Sequence, residues 1–559
     1  MAVETELKLL LPPDAAAGIL RRPALRSLLV PDPEAAPTPM VPSSAPADVN
    51  GVAAAVVPAL PDHDHDHVPA GVQRRKLDSV YFDTVDQWLS EHRMALRIRR
   101  VGRKRIQTLK APAAGPAGMQ NFHEHEAEIA SDRPQLSAIA DPKLVRKLEQ
   151  EKVWRRLRPV FETRFQRSDV TIERDGARIE LAVDHGTIQA QGRRRPIAEI
   201  ELELKSGEAR VLFDLAEQLA LGLAEEFPVR LGAETKAARG YALAEGLEPR
   251  PCKAKEISLA SDVTTEEAFA IIVGNCLDQL RANEEAVLTT EDGEAIHQFR
   301  VALRRLRAMI SAYRDLIDDD VLAMASIDLR WLQRQFGPAR DLDVLITETL
   351  EPIRHRLRAQ PVFDLLIDTA KGARAEARRT AHLALENPRY VVMLIQLYRH
   401  LHSGAWRRPS ARARLGAPVR DFATPLLQAR HKRLAKLGAR YQALPESELH
   451  RLRILAKKMR YAAEAFRSLF HGKASKRYIS ALADIQDRLG SLNDAFVSRQ
   501  LLSGLAQRLV TDHDIAASDA NLLQGLVLGW QTARIDRDLD GFRRIWADFA
   551  EQRRFWNGS

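Results

Sequence analysis

Val3-Glu-Thr-Glu-Leu-Lys-Leu9 alternates charged and apolar side chains, and Ala198-Glu-Ile-Glu-Leu-Glu-Leu-Lys205 repeats the pattern far downstream. Side chains of a strand point alternately to its two faces. Glu4, Glu6 and Lys8 therefore share one face, with Val3, Leu7 and Leu9 on the other. Glu199, Glu201, Glu203 and Lys205 share a face in the second stretch. Further candidates lie between them. Arg97 and Arg99 pair in Met94-Ala-Leu-Arg-Ile-Arg99, and Thr108 with Lys110 in Arg105-Ile-Gln-Thr-Leu-Lys110. Glu124, Glu126 and Glu128 alternate before Ala130. Glu162 pairs with Arg164 in Phe161-Glu-Thr-Arg-Phe165, and Glu180 with Asp184 in Ile179-Glu-Leu-Ala-Val-Asp184. An antiparallel sheet with one solvated face alternates in the same way. Yet glutamate is a poor strand former, and like charges on neighbouring strands repel unless cations lie between them. The set points to a sheet whose polar face encloses something highly charged. Grouped carboxylates suit hard divalent cations, and Arg and Lys suit phosphate oxygens.

Five motifs in order make residues 1–248 resemble a CYTH domain of the triphosphate tunnel metalloenzyme superfamily. They are Glu4-x-Glu6-x-Lys8, Tyr81-Phe-Asp-Thr84, Leu96-Arg-Ile-Arg99, the Glu199–Lys205 strand and Thr235-Lys-Ala-Ala-Arg-Gly-Tyr241. The resemblance implies an eight-stranded antiparallel β tunnel with a polar lumen. By the same resemblance Glu4, Glu6, Glu201 and Glu203 hold Mg²⁺ or Mn²⁺ and, with Lys8, carry the catalysis. Lys8, Arg97, Arg99, Lys110, Arg164, Lys236 and Arg239 are implied as the clamp on a triphosphate, with Glu199 behind the metal ligands.

Composition fits a soluble cytoplasmic enzyme of more than one domain: the chain has 559 residues. Two cysteines, Cys252 and Cys276, exclude a disulfide framework. The N-terminus lacks the basic and apolar regions of a signal peptide, and no apolar run is long enough for a membrane span. Charge is unevenly divided. Of 84 Lys/Arg, 36 fall within residues 1–250 and 48 after them; of 75 Asp/Glu, 37 and 38 do, so the halves carry −1 and +10. The excess implies an anionic partner for the second half. Residues 249–258, around Glu248-Pro-Arg-Pro-Cys-Lys-Ala-Lys255, read as the linker. The Pro- and Ala-rich stretch 31–71 reads as a flexible insertion. It contains Asp62-His-Asp-His-Asp-His67, whose ligand types could take up Zn²⁺ or Ni²⁺ adventitiously.

The second half is helical and internally duplicated. His297-Gln-Phe-Arg-Val-Ala-Leu-Arg-Arg-Leu-Arg307 aligns with His450-Arg-Leu-Arg-Ile-Leu-Ala-Lys-Lys-Met-Arg460 at an offset of 153 residues. The offset carries Gly337 onto Gly490, Asp341 onto Asp494 and Val344 onto Val497 without a gap. His, Arg, Arg/Lys and Arg at positions 0, 3, 7 and 10 fall within an arc of about 80° on a helix. Each copy is thus an amphipathic helix with an almost purely cationic face, where a solvated surface would normally mix both signs.

These motifs resemble the CHAD domain over residues 259–555, a family named for conserved histidines in an α-helical domain. The resemblance implies two pseudo-symmetric four-helix bundles and binding of long-chain inorganic polyphosphate, with association to polyphosphate granules. The implied ligand set is His297, Arg300, Arg304, Arg307, Arg340, His431, Arg433, His450, Arg453, Lys457, Lys458 and Arg460. Asn493 stands where the first copy has Arg340. Nucleic acid fits less well, because single-strand binders interleave aromatics for base stacking and aromatics are 6% of this chain. The expected whole is an α+β protein, a metal-dependent inorganic triphosphatase acting on tripolyphosphate. The alternatives are a hydrolase or cyclase acting on thiamine or nucleoside triphosphate, and a non-catalytic polyphosphate-binding protein. Histidine-led faces imply binding that tightens as pH falls below about 6.5.

Overall fold

The computed structural model describes residues 5–29, 71–113, 122–357, 360–404, 406, 409–470 and 472–557. Glu4 and the Asp62–His67 hexad lie outside the described residues. The first half is one antiparallel sheet in the order β5-β4-β3-β2-β6-β7-β8-β1-β9. Its strands are β1 (Thr5–Leu10), β2 (Gln73–Asp83), β3 (Ala95–Val101), β4 (Lys104–Pro112), β5 (Phe122–Ile129), β6 (Arg158–Arg174), β7 (Ala177–Ala190), β8 (Arg193–Ser206) and β9 (Arg230–Leu231). Nine strands are present among the described residues where eight were expected. The addition is β9, two residues long, which pairs Leu231 with Leu9 and Arg230 with Leu10. It covers the open edge of β1, whose backbone groups would otherwise lack partners there.

Register brings the alternating charges into rows. Glu6 lies opposite Glu203, Lys8 opposite Glu201, and Leu10 opposite Glu199. On the other side of β8, Glu180 faces Glu203 and Asp184 faces Glu199. The opposite face of these strands is apolar: Leu7, Leu9, Ile179, Leu181, Ile200 and Leu202 are buried. They share a core with Leu212, Leu215 and Leu219 of the helix Ala209–Leu223. Charge therefore sits on one face because the other is core. The Tyr81–Thr84 motif divides in the same spirit. Tyr81 reaches the charged face, whereas the buried Asp83 carboxylate accepts from the backbone N–H groups of Thr84, Leu89 and Ser90 and shapes the turn into the next helix.

The second half is helical, opened by a capping box between Thr264 and Glu267 on the helix Thr265–Ala282. The duplication is visible in its elements. The helices Gly293–Tyr313 and Glu446–Phe466, called the first and second basic helices below, have the same length, 21 residues, and begin and end at the offset read from the sequence. Gly337 lies against Arg300, as Gly490 lies against Arg453. The copies then diverge: Asp320–Gln335 and Gly337–Val344 are separate helices, while the second copy runs on in one helix, Ala474–His513.

The two halves share a continuous apolar core that includes Leu7, Phe269 and Leu452. Helix Ala209–Leu223 packs on helix Pro388–Ser403, where Arg399 Nη1 lies 2.6 Å from Asp214 Oδ1 and Gln396 donates to Glu217 at 2.7 Å. Among the described residues no helix is long and apolar enough to cross a membrane.

Candidate functional site

The charged face of the sheet curls around a cavity of about 310 Å³. Eight strands and the start of the helix Lys236–Glu245 contribute side chains. Among the described residues, eight cations line it (Lys8, Arg75, Arg97, Arg99, Lys110, Arg167, Lys205, Lys236) and six carboxylates (Glu6, Glu124, Glu126, Glu180, Glu201, Glu203). Lys8 Nζ sits 2.7 Å from Glu6 and 2.6 Å from Glu201. Lys236, presented at the first helical position by the Thr235 N-cap, lies 2.6 Å from Asp184 and 2.7 Å from Glu201 and also pairs with Glu199. Arg167 bridges Asp184 and Glu201.

Burial alone would favour loss of the Lys8 proton, but Glu201 and Glu6 outweigh it and hold Lys8 well above its ordinary range. Burial would likewise raise Glu201, but Lys236, Lys8 and Arg167 hold its carboxyl well below the usual range. The wall formed by β3 is different. Arg97 and Arg99 have no carboxylate within 4 Å among the described residues, and their Nε atoms are buried without an acceptor. Burial, then Arg97, pulls the Arg99 guanidinium down to about 9. Although burial opposes it, Arg97 and then Arg99 draw the Tyr81 phenol below its ordinary value. Carboxylates act on this part of the wall only from a distance, Glu124 on Arg97 and Asp184 on Arg99.

Two of the expected clamp residues lie elsewhere. Arg164 points to the outside of the sheet, half-exposed and 2.8 Å from Glu162. In β6 the odd positions face the cavity, so Arg167 and Phe165 line it instead. Arg239 is buried and pairs with Glu199, which is itself fully buried. It does not line the cavity but shares Glu199 with Lys236, which does. We expect Arg167→Ala to weaken binding of a multivalent phosphate anion in this cavity by at least tenfold, roughly the cost of one lost charge-assisted contact, with Arg164→Ala within twofold of wild type. Calorimetric titration of the two variants checks this, and equal losses would contradict it.

In the helical half, His297, Arg300, Arg304 and Arg307 stay partly exposed while Phe299, Leu303 and Leu306 are buried. The second basic helix approaches the first: Arg304 Nε donates to Tyr461 Oη at 3.3 Å. Matching pairs recur, Arg300 with Asp341 at 3.8 Å and Arg453 with Asp494 at 3.7 Å. Burial, then Arg340, pushes His297 down to about 4. Burial, then Arg453 and Arg304, pushes the Lys457 ammonium down to about 6. Arg340 is partly exposed; His450, Arg433 and Lys458 are exposed. Lys458 is lowered by burial and then by Arg430 and Arg307. His431 has its Nδ1 2.8 Å from Tyr478 Oη, among Phe549 and Trp556.

A second cavity, also about 310 Å³, opens beside the first basic helix, lined by Arg300, Arg304, Arg307, Arg330, Gln333 and Arg334. Arg330 and Arg334 escaped the sequence reading because they lie on another helix, Asp320–Gln335; their spacing of four was the available signal. No carboxylate among the described residues lies within 4 Å of Arg304, Arg307, Arg330 or Arg334. The second copy is neutralised at the matching places. Arg460 pairs with Glu464 at 2.7 Å, and Ala483 and Asp487 replace Arg330 and Arg334.

The model of the CYTH domain matches residues 63–241, and that of the CHAD domain matches residues 271–503. This chain is a CYTH domain joined to a CHAD domain. An inorganic triphosphatase of Haemophilus influenzae is 32% identical over 168 residues, 30% of this chain and 46% of the relative, so less than half of that relative is spanned. An uncharacterised protein of Mycobacterium tuberculosis is 25% identical over 455 residues, 77% of this chain and 82% of the relative. The crystal structure of the CHAD domain from the plant Ricinus communis is 33% identical, covers 54% of this chain and 97% of that chain, and superposes with a TM-score of 0.47. Strand β1 precedes the stretch matched by the CYTH model, yet it pairs with β8 within the same sheet.

The CYTH cavity has the donor chemistry for a hard divalent cation. Asp184, Glu199 and Glu201 can each present one oxygen, and these lie within 4.8 Å of one another. Asp184 and Glu199 are fully buried, and Lys236 reaches all three. Glu6, Glu201 and Glu203 instead border the open volume, one register row apart or directly opposite.

Proposed function

We propose that the CYTH half is a metal-dependent triphosphatase, cytoplasmic, cleaving inorganic tripolyphosphate to pyrophosphate and phosphate, and that the CHAD half binds inorganic polyphosphate. The observation that carries the first part is the closed charge pattern of the cavity. Carboxylates on β1 and β8 face a β3 wall where Arg97 and Arg99 have no carboxylate within 4 Å among the described residues. Phosphoryl transfer needs positioning and charge neutralisation more than covalent help. Arg97, Arg99, Arg167 and Lys110 would hold the phosphate chain, with Lys8 and Lys236 on the oxygens near the cleaved bond. Glu6, Glu201 and Glu203 would hold Mg²⁺ or Mn²⁺, together with Glu4 of the sequence reading, which lies outside the described residues. When bound, such an ion supplies further charge neutralisation and acidifies a bound water. Glu199 and Arg239 fix Lys236 from behind.

The reading is tested by phosphate release from tripolyphosphate, ATP and thiamine triphosphate, each with Mg²⁺ and Mn²⁺. Preference for tripolyphosphate supports it. Preference for either organic triphosphate, or no release from any, overturns it.

For the CHAD half the carrying observation is the cavity between the first basic helix and the helix Asp320–Gln335, where Arg304, Arg307, Arg330 and Arg334 have no carboxylate within 4 Å among the described residues. If its two bundles are related by a pseudo-two-fold, one chain of phosphates can touch both. Its pH dependence should not follow His297, which is already neutral far below pH 6.5. Lys457 is a group of this face that changes state near neutrality: displaced to about 6, it is mostly neutral at pH 7.5 and must take up a proton to meet phosphate. Affinity should therefore be greatest below about pH 6 and fall as pH rises, by up to tenfold per unit until the value in the complex is passed. Lys457→Met should flatten that slope in a titration between pH 5.5 and 8. An unchanged slope would contradict the assignment.

A further inference from the structure

Among the described residues, one side chain of the CHAD half hydrogen-bonds to the short backbone segment that pairs with Lys8 and leads to Lys236. Arg281, at the last turn of the helix Thr265–Ala282, donates from Nη2 to the carbonyl oxygen of Gly232. Gly232 directly follows β9, and its own N–H donates to the carbonyl of Lys8 at 2.8 Å. The approach is close: a Cβ at Gly232 would lie 2.9 Å from Lys8 Cβ, so no other residue type fits without moving that strand. Three residues later the chain reaches the Thr235 N-cap and then Lys236. Gly232 therefore touches the strand that carries Lys8 and leads into the helix that carries Lys236.

Arg281 is itself held firmly. Its Nη1 donates to Tyr398 Oη at 3.3 Å, and its guanidinium lies 5.5 Å from the centre of that ring. Around it, Arg195 and Arg230 of the CYTH sheet both reach Glu285 across the boundary, at 3.0 and 3.4 Å. The same helix connects inward. Gln279, two residues before Arg281, accepts from Arg305 at 2.7 Å and donates to Gln298 at 3.1 Å, both on the first basic helix.

We propose that Arg281 is a positioning residue for the CYTH cavity, supplied by the CHAD half: it pins Gly232 and thereby places the ammonium groups of Lys8 and Lys236 on the phosphate chain. This rests on the triphosphatase reading, and it makes the CHAD half part of the active cavity's framework rather than only a tether. A backbone carbonyl receives the hydrogen bond, so the contact acts through geometry. Its loss should appear mainly in substrate affinity, since both ammonium groups hold the ground-state anion as well as the transition state.

The experiment uses the full chain. Arg281→Ala should raise KM for tripolyphosphate by about tenfold or more, a usual cost for a residue acting through another, with a smaller fall in kcat. Arg281→Lys, which keeps one donor and the charge, should lie between Arg281→Ala and wild type. Millimolar guanidinium should recover part of the loss in Arg281→Ala. Arg399→Gln, which loosens the same domain boundary at Asp214 and Glu217, should leave KM within twofold and gain nothing from guanidinium. The proposal is overturned if Arg281→Ala keeps KM within twofold, if Arg399→Gln loses as much, or if guanidinium restores nothing. If Arg281→Ala does not fold, Arg281→Lys decides: a KM equal to wild type overturns the proposal. If wild type releases no phosphate from any triphosphate, the triphosphatase reading fails. The positioning role is then read as tripolyphosphate affinity by calorimetry in the same variants, with the same criteria.

Discussion

Glu201→Gln should lower tripolyphosphate turnover by about 10²–10³-fold, the usual cost of removing one preorganised charge at a reacting centre. It should also cost about 3–5 kcal/mol of stability, as breaking a buried ion pair does. Its carboxylate serves Lys8 and Lys236 at 2.6 and 2.7 Å and also Arg167. Without it three cations face a reduced set of acids. Glu201 has its folded value held well below the unfolded one. Its contribution is therefore fully present above the unfolded value of about 4.3 and is lost only as pH falls through the lower, folded value. The stability gap between wild type and variant should be constant from pH 5 to 8 and close only in strong acid. Glu6→Gln separates chemistry from folding. Glu6 pairs with Lys8 at 2.7 Å and borders the open cavity, while Lys8 keeps Glu201. Turnover should fall by a similar factor with a small change in melting temperature. Phosphate release and thermal melts on both variants check this. Near-wild-type turnover by Glu6→Gln at saturating Mn²⁺ would remove it from the metal set.

Alternation told which residues share a face, but not which face is inside. For β1, β3, β4, β7 and β8 the charged face was the enclosed one, because the other is the domain core. In β6 the same reasoning chose Glu162 and Arg164, yet Phe161 and Phe165 turn inward. Phe161 stacks on Tyr81 at 4.3 Å and Phe165 lies beneath Lys236 at 5.2 Å. Two aromatics, one stacked on a tyrosine and one under cations, read, in one dimension, like a core face. Arg239, expected in the clamp from the resemblance and not from alternation, lies one helical turn after Lys236 and meets Glu199 from behind. Strand β9, with two residues, has no period to read. The Arg167–Asp184–Lys236 network joins strands far apart in sequence, and only the sheet brings it together. The linker at 249–258 suggested separable halves, but apolar side chains of both occupy one core. The duplication was legible because a constant offset is a one-dimensional signal.

That duplication is chemically lopsided, and polyphosphate should feel it. The first copy offers Arg300, Arg304, Arg307, Arg330 and Arg334 around one cavity. In the second copy Arg460 is answered by Glu464, Lys457 is displaced to about 6, and an aspartate, Asp487, replaces Arg334. Symmetry of the helices would predict equal losses from equivalent substitutions; the charges predict otherwise. Arg304→Gln with Arg307→Gln and Arg330→Gln should weaken long-chain polyphosphate binding far more than Lys457→Gln with Arg460→Gln and Arg453→Gln at pH 7.5. Each cation that meets a phosphate releases counterions, so the first triple variant should also reduce the slope of log affinity against log salt by about 2, and the second by about 1 or less. A polyphosphate titration at three salt concentrations reads both quantities. Equal losses from the two sets would mean that the ligand lies symmetrically along both helices. Unchanged affinity in both would mean that these faces are only solvated. Duplex DNA displacing polyphosphate at equal phosphate concentration would move the ligand class from polyphosphate to nucleic acid. The tripolyphosphate turnover of the first triple variant should stay within twofold of wild type, because none of its three arginines lines the CYTH cavity.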